Sequence, residues 1–277
     1  MKPLSRTVTN ISIEVSENPS SSSKIPFRPR KIRKISSKHP ISATTVAAVK
    51  PSLGPKITKQ LSSKSEIDLA LNHLRDSDPL LASIIAAHRA PTFDSHNPPF
   101  LSLARSILYQ QLATKAANSI YTRFLALFSG EESGVLPNAV LSVTAKQLRE
   151  AGVSNRKASY LHDLADRYVK GTLSDTSILE MNDEELLTAL TAVKGIGVWS
   201  VHMFMIFSLR RPDVLPVGDL GVRKGVKLLY GLKELPGPMQ MEQICEKWRP
   251  YRSVGSWYMW RLVEGNKASG ANLQEQN

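Results

Sequence analysis

Leu186-Leu187-Thr188-Ala189-Leu190-Thr191-Ala192-Val193-Lys194-Gly195-Ile196-Gly197-Val198-Trp199-Ser200-Val201 reads as an apolar helix, a tight turn and a second apolar helix. The two glycines permit positive φ and close backbone approach, and Ile196 between them can pin the turn to a core. The N–H groups of Gly197 and its successors open a helix, so they lack intrahelical partners and can face an anion. A helix–turn–helix packing element, whose glycines merely turn the chain, fits the same residues. The spacing Val193-Lys194-Gly195-Ile196-Gly197 favours the anion-gripping reading. The lone carboxylate of Asp219, after Leu215-Pro216-Val217-Gly218, favours it further.

The helical pattern continues on both sides of this stretch. Upstream, Ser65 with Asp68 is expected to cap a first helix, and Asp78-Pro79 to start a second. Apolar residues at three- and four-residue spacing then predict helices over Phe100–Leu112, Thr114–Phe128, Thr144–Ala151, Asn155–Val169 and Asp183–Ala192. Downstream, helices are expected over Val198–Leu209, Asp219–Tyr230, Met239–Trp248 and Ser253–Val263, with Gly231 and Gly265 as stops. Alternating strand-like runs are scarce. The expected fold is all-α, in two helical lobes with a cleft between them, because helices on either side of the hairpin need separate partners.

Charge is distributed very unevenly. Residues 1–64 carry 13 Lys and Arg against 2 Glu, leaving 23 basic and 22 acidic residues for the rest of the net +12 chain. Residues 1–63 are rich in Ser, Lys, Pro and Thr with one aromatic, Phe27, and cannot bury enough apolar surface to offset ordering entropy. They are expected to be disordered, the helical domain to span 64–266, and 267–277 to form a second disordered tail. The cluster Phe27-Arg28-Pro29-Arg30-Lys31-Ile32-Arg33-Lys34 suits nuclear import or tethering to nucleic acid, and the Ser-rich, acid-poor N-terminus also suits an organellar transit peptide. No run of about 18 apolar residues is present to cross a membrane, and no secretory signal is read. Cys245 is the only cysteine, which excludes an intramolecular disulfide and a multi-cysteine zinc or iron–sulfur site. It sits among Met241, Ile244 and Trp248 as a small core residue.

The hairpin, the segment Pro216-Val217-Gly218-Asp219, Trp248-Arg249-Pro250-Tyr251-Arg252-Ser253 and Trp260-Arg261-Leu262 together resemble the helix–hairpin–helix DNA glycosylase superfamily, in its alkylation-repair branch of the 3-methyladenine DNA glycosylase II type. The resemblance covers roughly Ser65 to Gly265. It implies a helix–hairpin–helix glycosylase fold and a monofunctional enzyme that hydrolyses the N-glycosidic bond of 3-methyladenine and 7-methylguanine in double-stranded DNA. The product would be an abasic site for downstream repair enzymes. Relatives that also cleave the strand carry a lysine just after the hairpin, where this sequence has Trp199. Branches with a four-cysteine cluster are excluded by Cys245 standing alone.

The same resemblance implies the site. Asp219 would face the deoxyribose, whose positive charge builds as the bond breaks; Asp219 also stands where a helix N-cap belongs, and Asp213, in a loop expected to be exposed, is its nearest competitor. Trp199, with Met203 one turn later, and Trp260 would line the base pocket, while Trp248, Trp257 and Tyr258 are read as core. Lys194, Gly195, Ile196, Gly197, Val198 and Trp199 would form the DNA-binding hairpin. Tyr109-Gln110-Gln111-Leu112 resembles the wedge segment, with Gln111 or Leu112 filling the gap left by the flipped base; a polar helix end is the plainer reading of the glutamines. Lys194, Arg223, Lys224 and Ser154-Asn155-Arg156-Lys157 could add phosphate contacts or serve as solvated surface. No cofactor is required, although the carbonyls of Thr191, Val193 and Gly195 could hold a structural Na+ or K+. His162 and His202 lack companions for a metal site. A monomer is expected. Two rival readings stand beside this one: a glycosylase for oxidised or mismatched bases, and a non-catalytic hairpin module that only grips DNA.

Overall fold

The computed structural model describes residues 59–93 and 97–274. Among them are thirteen α-helices and no strand, in agreement with the all-α expectation. Chain order gives α1 (Lys64–Ser77), α2 (Pro79–Ala87), α3 (Pro99–Tyr109), α4 (Thr114–Ala126), α5 (Pro137–Ser142), α6 (Ala145–Glu150) and α7 (Asn155–Val169). Then follow α8 (Asp175–Glu180), α9 (Asp183–Thr191), α10 (Val198–Phe207), α11 (Leu220–Leu229), α12 (Pro238–Cys245), a 3-10 turn at Glu246–Trp248, and α13 (Arg252–Gln274).

Local chemistry explains most boundaries. Helix α1 is capped by Ser63, whose side chain accepts from the Glu66 N–H at 3.3 Å, so the cap lies two residues before the expected Ser65. Asp78 caps α2 ahead of Pro79 as expected. Asn182 and Glu185 form a reciprocal capping box on α9, with three acids in its first turn to complement the dipole. The six-residue helices α5 and α8 were not expected, since less than two turns gives little periodicity; α6, equally short, was. Gly265 does not stop α13, which continues to Gln274, so most of the expected C-terminal tail is helical. A single interior glycine weakens a helix by only about 1 kcal/mol relative to alanine.

The helices sort into two packing groups. One is built around α3 and α7, with α4, α5, α6, α8, α9 and α10 joined to them directly or through one another. The other joins α1 and α2 to α11, α13 and the 246–248 turn, so the first helices of the domain close against the last ones. The two lobes are as expected, but the reason given for them is not: α9 and α10 pack on each other in one lobe, and the chain changes lobe in the loop after α10. Asp78, fully buried, ties the second lobe together. It caps α2 while accepting from Trp248 Nε1 at 2.8 Å and from the Tyr230 hydroxyl, with Lys247 Nζ 3.4 Å away.

The expected N-terminal tail lies outside the described residues up to 58, as does the 27–34 basic cluster. Its boundary at 63 is too late. Leu61 is buried in the core and its N–H donates 2.9 Å to the Arg210 carbonyl.

Candidate active site

Helix α9 ends at Thr191, and the chain reverses through residues 192–197 into α10. Gly195 takes φ +79, and a Cβ there would stand 2.1 Å from Tyr160 Cδ2, so this glycine is required both by conformation and by close approach to the ring. Gly197 is different. Its φ of −100 is open to any residue and a Cβ would meet nothing within 4 Å, so the expectation of positive φ holds at Gly195 only. Ile196 is buried, while Lys194, Gly197, Val198 and Trp199 are exposed. Gly197 is the N-cap of α10 and no side chain caps that end, leaving the first N–H groups of the helix without an intrahelical acceptor.

Asp219 caps α11 and is 8% exposed. Its Oδ1 accepts from the Val222 N–H at 2.8 Å and from Trp260 Nε1 at 2.9 Å, and its Oδ2 accepts from Trp199 Nε1 at 2.6 Å. A carboxylate has about four lone-pair sites. Two donors fill Oδ1, whereas Oδ2 keeps one site, beside an indole that is itself 47% exposed. The side chain is thus fixed by neutral N–H donors from both lobes, α10 on one side and α11 and α13 on the other. Trp260 stacks on Phe207 with ring centroids 5.7 Å apart. It reaches Asp219 because Gly221 leaves room; a Cβ there would fall 2.7 Å from Trp260 Cδ1. Met203, expected to line the pocket with Trp199, lies half-buried one turn after it and packs on the core.

Residues 104–250 match the family described as HhH-GPD superfamily base excision DNA repair protein. The chain belongs to this superfamily. DNA-3-methyladenine glycosylase 1 of Schizosaccharomyces pombe is 31% identical over 202 residues, covering 73% of this chain and 88% of that protein. The crystal structure of a DNA-3-methyladenine glycosidase from Bacillus halodurans superposes with TM-score 0.65 at 34% identity, covering 74% of this chain and 91% of that one. A Schizosaccharomyces pombe 3-methyladenine DNA glycosylase in complex with abasic DNA gives TM-score 0.60 at 31% identity, covering 70% of this chain and 95% of that one.

Within this HhH-GPD domain the segment expected to carry the wedge runs from the last residue of α3, Tyr109, into the turn that follows. Gln111 is exposed at φ +55, while Leu112 is half-buried, so Gln111 projects further of the two expected candidates. Gln110 turns the other way and donates 2.9 Å to the Gly195 carbonyl. That carbonyl and the Val193 carbonyl, which accepts from the Ile196 N–H at 3.2 Å, each keep a second lone pair, so both remain competent toward the expected Na+ or K+.

Two of the expected phosphate contacts, Lys157 and Arg223, bond inward. Lys157 Nζ donates to the carbonyls of Leu108 and Gln110 at 2.7 Å each, and burial, then the neighbouring Arg156, pulls its ammonium below the usual lysine range. Arg223 Nε donates to the Pro236 carbonyl at 2.9 Å. Lys194 keeps its amine largely exposed, 3.5 Å from Asp163. Asp213 is not in an exposed loop. It pairs with Arg249 at 2.7 Å and with Arg252, itself 7% exposed, at 2.6 Å, which removes it from the competition with Asp219.

Asp163 escaped the sequence reading altogether. Its Oδ2 accepts from the Lys194 N–H at 3.0 Å and from Arg167 Nε at 3.2 Å; burial raises its pKa, but these partners outweigh it and hold the carboxyl below its ordinary range. The spacing Asp163-x-x-x-Arg167 was visible as an i,i+4 pair, but nothing local pointed it at the hairpin. Trp248 and Tyr258 are fully buried, as expected of core residues, and Trp257 is half-buried with Arg261 4.8 Å over its ring. Burial pushes the Cys245 thiol up to about 12, in keeping with a core cysteine. His162 Nε2 bonds the Val143 carbonyl at 2.9 Å, and among the described residues no group of three His, Cys, Asp or Glu could hold a metal.

Proposed function

We propose that this chain is a monofunctional DNA glycosylase that flips alkylated purines, chiefly 3-methyladenine and 7-methylguanine, out of duplex DNA and hydrolyses their N-glycosidic bonds. The observation that carries the reading is the carboxylate of Asp219, held between Trp199 and Trp260 with one acceptor site of Oδ2 left over, next to the uncapped start of α10. Membership of a base-excision repair superfamily and the names borne by the relatives support it.

The chemistry follows from charge. Departure of the base leaves positive charge on the sugar, and a fixed carboxylate about 4 Å away stabilises it by about 4 kcal/mol at an effective dielectric near 20. An N3- or N7-alkylated purine is already cationic and leaves without a strong general acid. Aromatic faces favour such a base, and Trp199 and Trp260 supply them beside the carboxylate. The free lone pair of Oδ2 can orient the attacking water. The hairpin N–H groups grip the phosphate, and a Na+ or K+ held by the carbonyls of Thr191, Val193 and Gly195 would tighten that turn. The enzyme acts as a monomer in the nucleus, addressed by the 27–34 cluster, and passes its abasic product to downstream repair enzymes.

Strand cleavage by a Schiff base is absent from this proposal because Trp199 offers an indole where that chemistry needs an amine. Borohydride should therefore trap no covalent complex with abasic DNA. Incubation with methylated duplex DNA, followed by analysis of released bases, tests the main reading, and no release of 3-methyladenine or 7-methylguanine would reject it. The competing reading, a non-catalytic hairpin module, draws on the capping bond from Val222 N–H to Asp219. It predicts DNA binding with no base release in the same assay.

A further inference from the structure

Lys157 occupies the first turn of α7, where a cation opposes the dipole of its own helix. Its ammonium instead serves α3, bonding the carbonyls of Leu108 and Gln110 at that helix's C-terminal end. No glycine ends α3. The chain leaves it through Gln110 at φ −51 and ψ 131 and enters Gln111 at φ +55. A non-glycine residue in the left-handed region costs about 1–2 kcal/mol and persists where its surroundings over-determine it. Lys157 holds this turn from one side. The Gln110 side chain holds it from the other, through the Gly195 carbonyl.

The hairpin is held by the same helix. Gly195 lies against the Tyr160 ring; Asp163 takes the Lys194 N–H at 3.0 Å; Arg167 Nη2 donates to the Ala192 carbonyl at 2.5 Å. Lys157, Tyr160, Asp163 and Arg167 follow one another at spacings of three, three and four, which places them along one side of α7. One helix face therefore grips both the turn that carries Gln111 and the turn that faces the phosphate.

We propose that Lys157 and Gln110 are positioning residues for base extrusion, locking the Gln111 turn at a fixed offset from the hairpin so that strand gripping and wedge insertion act as one rigid body. The inference rests on the glycosylase reading for the identity of the reaction. Extrusion costs a few kcal/mol, and a turn that yields when pushed against the stack transmits less of the energy gained at the phosphate. Neither side chain hydrogen-bonds Asp219 or its tryptophans, so the substitutions leave the bonds that fix the carboxylate in place.

The test uses the full chain, with Lys157→Met, Lys157→Arg and Gln110→Met, on duplexes bearing 7-methylguanine opposite cytosine or opposite an abasic gap. Fluorescence of 2-aminopurine beside the lesion reports extrusion, and single-turnover base release reports chemistry. Lys157→Met and Gln110→Met should slow both signals by about tenfold on the paired lesion and by less than about twofold opposite the gap, where no partner base resists. Lys157→Arg, which keeps donors for both carbonyls, should restore most of the rate. Equal losses on the two duplexes, or no loss on the paired one, overturn the proposal. If Lys157→Met does not fold, Gln110→Met decides alone, since its side chain is half-exposed. A wild-type protein that raises the fluorescence yet releases no base would sink the glycosylase reading and leave the positioning role standing.

Discussion

Replacing Asp219 by Asn removes one charge and one acceptor oxygen while keeping shape, and the geometry says what each loss does. The remaining carbonyl oxygen can take the place of Oδ1 and keep its two bonds, from the Val222 N–H and from Trp260 Nε1. The new amide then faces Trp199 Nε1, donor against donor, at a site where the carboxylate had accepted at 2.6 Å. Trp199 is half-exposed and can turn to water, so the loss of stability should be about 1 kcal/mol, or about 2–4 °C in Tm for a domain of this size. The rate is another matter. Losing about 4 kcal/mol of attraction for the developing sugar cation slows base release about a thousandfold. Single-turnover release from methylated duplex DNA, with enzyme in excess, reads that step directly, while anisotropy with an uncleaved duplex should show affinity within a few-fold of wild type. A folded Asp219→Asn variant that releases base within about tenfold of the wild-type rate would refute the electrostatic argument. Asp213→Asn is the control: it breaks pairs to Arg249 and Arg252 and should cost more stability than rate.

The two hairpin glycines should part company on substitution. Gly195→Ala meets positive φ and the Tyr160 ring together and should lower Tm and DNA affinity at once, whereas Gly197→Ala, with open space around it, should fold nearly normally and lose affinity alone; thermal melts beside binding isotherms distinguish the two. Asp78 is pushed up by burial but pulled down further by Trp248, Tyr230, Lys247 and the Leu81 N–H, so its folded pKa lies below the ordinary value. Its stabilisation is present above the unfolded carboxylate pKa of about 4 and is lost as pH falls through the depressed folded value, so the stability gap between wild type and Asp78→Asn, measured by denaturant titration, should narrow in acid. Deleting residues 1–58 removes 11 Lys and Arg; if the tail touches DNA, the slope of log affinity against log salt should shrink by about 0.9 for each phosphate that the tail neutralises. An unchanged slope would leave the tail without a role in binding.

What could be read in advance was whatever is encoded locally. The hairpin, the cap at Asp219 and the helical periodicities are each set by residues within a turn or two of one another in sequence. The resemblance put Asp219, Trp199 and Trp260 in one site, but the bonds from both indoles to the one carboxylate could not be read, because they join three helices from two lobes across 20 and 41 positions. Gly221 and Gly225 were equally silent. Four residues apart on α11, they let α13 approach so closely that Cβ atoms there would strike Trp260 and the Met259 backbone, yet interior glycines read only as weak points in a helix. The lobes were anticipated for the wrong reason, since nothing local announces that α1 and α2 pack beside α13.

The cations show most clearly why composition misleads. Counted by sequence, the folded domain has nearly as many acids as bases, and Lys157 and Arg223 looked available for phosphates or solvent. In the fold Lys157 is turned onto the end of α3, Arg223 onto the Pro236 carbonyl, and Arg249 and Arg252 onto Asp213 and Glu242. A cation bonded inside the domain is held in place by that bond and offers a phosphate only its remaining donors. On the proposed reading, the uncapped N–H groups at the start of α10, which have no intrahelical acceptor, take the larger share of the grip on a strand. Their direction is fixed by the backbone, not by flexible side chains. That is why the offset between the hairpin and the Gln111 turn can be a rigid property of the protein, held by α7.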